Sequence, residues 1–193
     1  MAFFLRHWRD YGRHTLKKNK AYLAGLDRAT VAEIGVSFVR IELVQRLRPA
    51  VVQRMEQHRR AGDVIALLTG TPDFIAAPLA EWVGAEVWRA TRCAQRGGRF
   101  ITTPPEVHPF ADDKVRHALE VCAAAGVKIS SSTAYADEVY DLPLLRRVGR
   151  PVAVNPDRGL ARVARREGWE VLPGTRAAKT EVLKPATGRV ARG

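Results

Sequence analysis

Four polar residues and one glycine stand at positions where they could do chemistry together. Thr69 and Gly70 follow an apolar run, Val64–Leu68; Lys114 opens a helical stretch; Asp137 and Asp141 follow a second short apolar run, Thr133–Ala136. A threonine hydroxyl beside backbone N–H groups at a helix start can hold phosphate oxygens. A lysine nearby supplies a point positive charge that offsets the negative charge developing in phosphoryl transfer. Asp137, with Glu138 and Asp141 close by, offers hard oxygen ligands suited to Mg²⁺, which takes few carboxylates and keeps several waters. Each signal has an ordinary alternative: threonine and aspartate cap helices, and a lysine at a helix start is usually solvated. The functional reading therefore requires that these residues share one edge of the fold.

The elements that would place them alternate between strand and helix. Val64–Leu68 reads as a buried parallel strand. Thr69-Gly70-Thr71-Pro72 then reads as a tight turn, with Thr71 capping and Pro72 opening the helix in DFIAAPLAEWVG. Glu86–Trp88 is a further short strand. Asp113 precedes a helix, KVRHALEVCAAAG, closed by Gly126. Thr133–Ala136 is a strand ending at Asp137, DLPLLRRVG a short helix, Pro151–Val154 a strand ending at Asn155, LARVARREG a helix, and Glu170–Leu172 a last strand. This alternation predicts an α/β fold, a Rossmann-like parallel sheet with helices on both faces. Ligands in such sheets bind beyond the carboxyl ends of the strands. Thr69, Asp137 and Asn155 fall there, and Lys114 opens a helix at the same edge.

Before this core, residues 1–46 read as helical. Arg6, Arg9, Arg13, Lys17 and Lys20 share one helical face, and Phe4, Trp8 and Tyr11 another. Asp27 or Thr30 caps a second helix through Val31, Ile34, Phe38 and Val39. Pro49 opens a third, ending near Gly62. The Gly- and Pro-rich stretch at about residues 94–110 predicts a hairpin or flap. The division is thus a helical segment 1–46, a core 47–175 with its flap, and a basic tail 176–193.

Composition narrows the classes. Hydrophobic residues make up 46% and charged residues 27%, which fits a globular chain and excludes wholesale disorder. No apolar run reaches the ~18 residues of a membrane span, and the N-terminus lacks the apolar stretch and small-residue site of a signal peptide. Cys93 and Cys122 form no CxxC pair, so a reducing cytoplasm is expected. The histidines (His7, His14, His58, His108, His117) show no metal-binding spacing and read as surface or packing residues. The net charge is +12, and residues 1–60 carry 13 Lys and Arg against 5 Asp and Glu. That bias favours anions: phosphorylated substrates, nucleic acid or acidic lipid.

Three stretches resemble motifs of the haloacid dehalogenase superfamily. VIALLTGTPDFIAAPLAEWVGAE resembles the second motif, most closely that of the phosphoserine-phosphatase-like branch; DDKVRHAL resembles the third; AYADEVYDLPLLRRVGRPVAVNPD resembles the fourth. The resemblance implies a Mg²⁺-dependent phosphatase acting on a small phosphorylated metabolite through an aspartyl-phosphate, with no nucleic acid involved. It implies that Thr69 and Gly70 bind phosphate and that Thr69 and Lys114 are catalytic. Asp137 would bind Mg²⁺, and Asp141 would support the metal and the lysine. The segment 1–46 would be a helical cap that, with the flap, selects the substrate. This chain has Ala136-Asp137-Glu138 where the family has Gly-Asp-Ser. It also lacks the first motif, Asp-x-Asp, whose first aspartate is the nucleophile. Asp10 has no second aspartate beside it, so no nucleophile stands in this chain, and the sheet would lack its first, central strand. The apolar MAFF resembles the strand before that motif. Two further readings follow: a pseudophosphatase that binds phosphate and Mg²⁺ without turnover, and a basic helix docking on nucleic acid or an acidic membrane.

Overall fold

The computed structural model describes residues 20–174. The basic face from Arg6 to Lys17, the apolar face of Phe4, Trp8 and Tyr11, and the whole of the basic tail lie outside those residues.

The first α-helix among the described residues, α1 (Arg28–Phe38), starts where its sequence signals a start. The Asp27 carboxylate accepts the Thr30 N–H at 2.9 Å and the Thr30 hydroxyl at 3.0 Å. The helical path continues through Val39–Leu43 and Val44–Arg46, and stops before Pro49, which disfavours the helical conformation in the residue preceding it. Val31 of α1 is buried with Leu23, Cys93 and Phe100, against Phe74. Gly35 allows this approach: a Cβ there would stand 2.3 Å from the Phe74 carbonyl oxygen. Arg28 reaches across to the Asp73 carboxylate with two hydrogen bonds, at 3.3 and 3.2 Å.

The core alternates as expected. Helix α2 (Pro49–Arg60) leads to strand β1 (Ala66–Pro72), helix α3 (Asp73–Val83) and strand β2 (Val87–Thr91). Strands β3 (Gln95–Arg96) and β4 (Arg99–Phe100) form an antiparallel hairpin inside the predicted flap. Its two-residue turn, Gly97-Gly98, has φ of 56° and 75°, the positive values such a tight turn needs. Then come helix α4 (Asp112–Ala124), strand β5 (Thr133–Ala136), short helix α5 (Leu142–Leu145), strand β6 (Arg150–Val154), helix α6 (Arg158–Glu167) and strand β7 (Glu170–Leu172). Gly84 and Gly168 end α3 and α6 in the left-handed conformation, at φ 64° and 69°.

The parallel strands form two sheets among the described residues, β1–β2 and β5–β6–β7. Alternation along β6 shows why helices cover both faces. Ala153 packs with Leu145, Leu160 and Ala164 of α5 and α6, while Val152 and Val154 pack with Leu172 and Val51 of α2. Helix α2 also reaches the other sheet, where Met55 joins Ile65, Leu67 and Trp88.

One local expectation is corrected. The strand does not end at Leu68 with a tight turn: β1 runs on to Pro72, and α3 begins at Asp73, not at Pro72. The Thr71 side chain does not cap the helix, because Thr69 and Thr71 bond to each other. Asp73 accepts the Phe74 N–H instead, at 2.8 Å.

Candidate phosphate and metal site

Lys114 lies in the first turn of α4. The turn before it is tight: the Asp113 N–H donates to the Phe110 carbonyl at 3.0 Å, and Ala111 sits at φ 48°, ψ −116°. Those angles are the first central position of a type II′ turn, where glycine is favoured. The turn aims Lys114 at Asp141, and Nζ lies 2.7 Å from Oδ1 and 2.8 Å from Oδ2. Both side chains are largely shielded, at 16% and 13% exposure, so water screens the pair little. Asp141 is held in a single helical turn, Val139–Asp141, that precedes α5.

The segment Thr69–Thr71 is the second part. The register between β1 and β2 shifts between Leu68 and Pro72, so the regular ladder does not hold this stretch. Side chains hold it instead. The Thr69 hydroxyl donates to Thr71 Oγ1 at 3.0 Å and accepts the Thr71 N–H at 3.1 Å. The Gly70 carbonyl accepts the hydroxyl of Thr91, which is fully buried, at 2.7 Å. With Thr69's proton given to Thr71, the Thr71 hydroxyl still has a proton to donate.

Aromatic rings join the two parts. His108 stacks on Phe110, with centroids 5.7 Å apart, and Phe110 tilts against Tyr140 at 5.1 Å. Tyr140 is the chain neighbour of Asp141, and the His108 ring lies over Gly70.

Asp137 is placed differently. It follows β5 directly, but its carboxylate is half exposed and faces Arg48, 3.8 Å away. Arg48 also donates to the Val154 carbonyl at 3.5 Å, at the end of β6. The loop after Asp137 is fastened by Asp157, whose N–H donates to the Asp137 carbonyl at 2.8 Å. The Asp157 carboxylate accepts the Val139 N–H at 3.1 Å and caps α6 through Leu160 N–H at 2.7 Å. Asn155, at φ 42°, ends β6 and faces Gly174. The structure therefore pairs Lys114 with Asp141 directly, links Thr69 and Gly70 to them through rings, and turns Asp137 to Arg48. Among the described residues, no three His, Cys, Asp or Glu side chains form a cluster that could hold a metal. A groove of about 600 Å³ lies between α4 and α5, lined by Val115, Leu119, Pro143 and Arg147; Lys114 and Asp141 do not line it.

Sequence reasoning missed Arg48, Thr91, Asp157 and the role of His108. Cys93 and Cys122 are free and buried, and burial with the nearby Asp73 charge pushes the Cys93 thiol up, away from reactivity. His117 is buried and bonded to Glu120 at 3.1 Å.

Residues 1–146 match the haloacid dehalogenase-like hydrolase family. This chain belongs to that family. Several curated proteins match most of it. It is 30% identical over 165 residues to a histidinol-phosphatase of Neisseria meningitidis, covering 81% of this chain and 72% of the relative. It is 30% identical over 161 residues to the inhibition of morphological differentiation protein of Streptomyces azureus, covering 81% and 58%. A solved structure from Bordetella pertussis Tohama I, of a protein of unknown function, superposes with a TM-score of 0.71 at 32% identity, over 79% of this chain and 70% of that one. The chain spans about half the length of several curated relatives, and 45% of two mycobacterial ones. These likenesses agree with the α/β fold described above.

Proposed function

We propose that this chain serves a phosphatase of the haloacid dehalogenase type, binding a small phosphomonoester between the Thr69–Thr71 segment and Lys114. The observation that carries the reading is the shielded Lys114–Asp141 pair, joined to Gly70 by the His108–Phe110–Tyr140 rings. In this reading the Thr71 hydroxyl and the Gly70 N–H hold phosphate oxygens, and the Thr69 hydroxyl joins them by turning its proton from Thr71 to the ligand. Lys114 offsets their charge. Asp141 keeps the ammonium in place.

The donor set at Asp137 fits Mg²⁺ in kind. A single half-exposed carboxylate suits an ion that keeps waters and takes further oxygens from a substrate phosphate. When bound, Mg²⁺ would supply positive charge to the phosphoryl oxygens. Arg48 would have to yield Asp137 to it. Residues 1–46 and about 94–110 are proposed as the cap and flap that choose the substrate, around a core of 47–175, with 176–193 as a basic tail. A reducing cytoplasmic setting fits the two free, buried cysteines.

A second reading, binding without turnover, is favoured by one feature: no two aspartates of this sequence stand in an Asp-x-Asp pair. The family reaction needs that carboxylate to attack phosphorus, with the alkoxide leaving to be protonated. The deciding experiment uses the full chain with and without Mg²⁺. Orthophosphate binding is followed by calorimetry, and release of phosphate from a panel of small phosphomonoesters is followed by colour. Both readings expect binding that Lys114→Ala weakens at least ~tenfold, the scale of a lost charge-assisted contact. Turnover selects the phosphatase; binding alone selects the second reading. No binding, or binding indifferent to Lys114→Ala, overturns both.

A further inference from the structure

We infer that His108, acting through Thr91, is a positioning residue for the Thr69–Thr71 segment. This rests on the phosphate reading of that segment.

The argument begins with one proton. Thr91 Oγ1 lies 2.7 Å from the Gly70 carbonyl oxygen and 2.8 Å from His108 Nδ1. A carbonyl oxygen only accepts, and a hydroxyl has a single proton to give. The Thr91 proton therefore goes to Gly70. His108 Nδ1 must then be the donor, which fixes the neutral ring as the Nδ1–H tautomer. The two bonds run in one direction, from Nδ1–H to the hydroxyl and from the hydroxyl to the carbonyl, so each polarises the other. Thr91 is wholly buried, where bonds of this kind are least exposed to exchange with water.

The consequence for the loop follows from peptide planarity. The Gly70 carbonyl and the Thr71 N–H belong to one rigid, flat group. Thr91 grips its oxygen, and its N–H donates to Thr69 Oγ1 at 3.1 Å. Fixing the carbonyl direction therefore fixes the N–H direction, and with it the Thr69 hydroxyl. This stretch needs such a grip because the β1–β2 register shifts across it. His108 meets the loop a second way: its Cε1 lies 3.5 Å from where a Gly70 Cβ would stand. Through Phe110 and Tyr140 the same ring adjoins the segment carrying Asp141. His108 thus meets the Gly70 half directly and the Asp141 half through Phe110 and Tyr140, so its ring and proton bear on their relative placement.

The test uses the full, isotope-labelled chain in solution. Long-range ¹H–¹⁵N correlation reads the His108 tautomer in the wild type, so this readout requires no variant. The Gly70 carbonyl and Thr71 amide shifts report the peptide plane, and orthophosphate is the titrant. The expected tautomer is Nδ1–H. Thr91→Val and His108→Phe move the Gly70 carbonyl resonance and weaken orthophosphate by about tenfold, the scale of one lost buried hydrogen bond. Thr91→Ser keeps the hydroxyl, and His108→Asn keeps an N–H donor; both stay within about threefold of wild type. An Nε2–H tautomer overturns the inference. So does a Gly70 carbonyl resonance that is unchanged in Thr91→Val and His108→Phe, or an orthophosphate affinity that is equal in all four variants. If orthophosphate leaves the wild-type Thr71 amide unmoved, the phosphate reading fails, while the tautomer and the Gly70 carbonyl still decide the relay.

Discussion

The Lys114 ammonium straddles the Asp141 carboxylate, 2.7 Å from one oxygen and 2.8 Å from the other. Helix α4 and the turn before α5 are thereby joined across 27 residues by a pair that water reaches poorly. Removing one partner leaves the other shielded and uncompensated. Lys114→Met is expected to destabilise the fold by about 3 kcal/mol, the low end of the cost of leaving one partner of a shielded ion pair uncompensated. The double variant Lys114→Met/Asp141→Asn should recover part of that loss, because replacing both partners leaves no orphaned charge. Urea unfolding of the three chains measures both quantities. Additive losses would show that the pair is not coupled.

Gly35 sets how closely α1 lies on α3. A methyl group there would meet the Phe74 carbonyl oxygen at 2.3 Å, and a backbone oxygen cannot rotate away. Gly35→Ala is expected to cost about 1–3 kcal/mol through overpacking, even though alanine is the better helix former. Thermal unfolding by circular dichroism checks the sign: a stabilised variant would mean the two helices do not touch there.

Ala111 holds φ 48°, ψ −116° without being glycine. Strain of this kind is on the order of 1–3 kcal/mol, and glycine relieves it while adding disorder to the unfolded chain. Ala111→Gly is expected to raise stability by about 1 kcal/mol, read as a shift in urea midpoint. A lowered midpoint would show that the turn tolerates a side chain without strain.

The α1 cap carries a pH dependence. The Thr30 N–H, followed by the Thr30 hydroxyl, holds the Asp27 carboxyl below the usual aspartate range. The folded form thus prefers the ionised cap. Its contribution is complete above the ordinary aspartate pKa and is lost as pH falls through the lowered folded value. Asparagine caps as well as aspartate but does not ionise in this range. The Tm of wild type relative to Asp27→Asn should therefore stay level from neutral pH down to about pH 5 and fall as pH drops below about 4. A constant difference would remove the charge from the explanation.

Much of this arrangement could be read in the chain. Strand β5 was bounded correctly at Thr133 and Ala136, Asp27 caps where its type and position suggest, and Gly84 and Gly168 stop the helices they follow. These are local effects, carried by neighbours within a turn or two. The place of Lys114 in the first turn of α4 was legible because acidic residues followed by a helical apolar pattern mark a helix start. Arg48, Thr91 and His108 were not, because their partners are distant in sequence and no periodicity announces them. Thr91 bonds a residue 21 positions earlier and another 17 later. The extension of β1 to Pro72 was missed for a related reason: Thr69 and Thr71 look like caps, and only their mutual bonding shows otherwise.

Helix α2 lies on both sheets, with Val51 against β6 and β7 and Met55 against β1 and β2. Neither half owns a complete interior without it. The two halves are thus bound into one cooperative unit: a calorimetric trace should show a single melting event, and a cut anywhere between Thr91 and Thr133 would separate the β5–β6–β7 sheet from the floor it shares with the other.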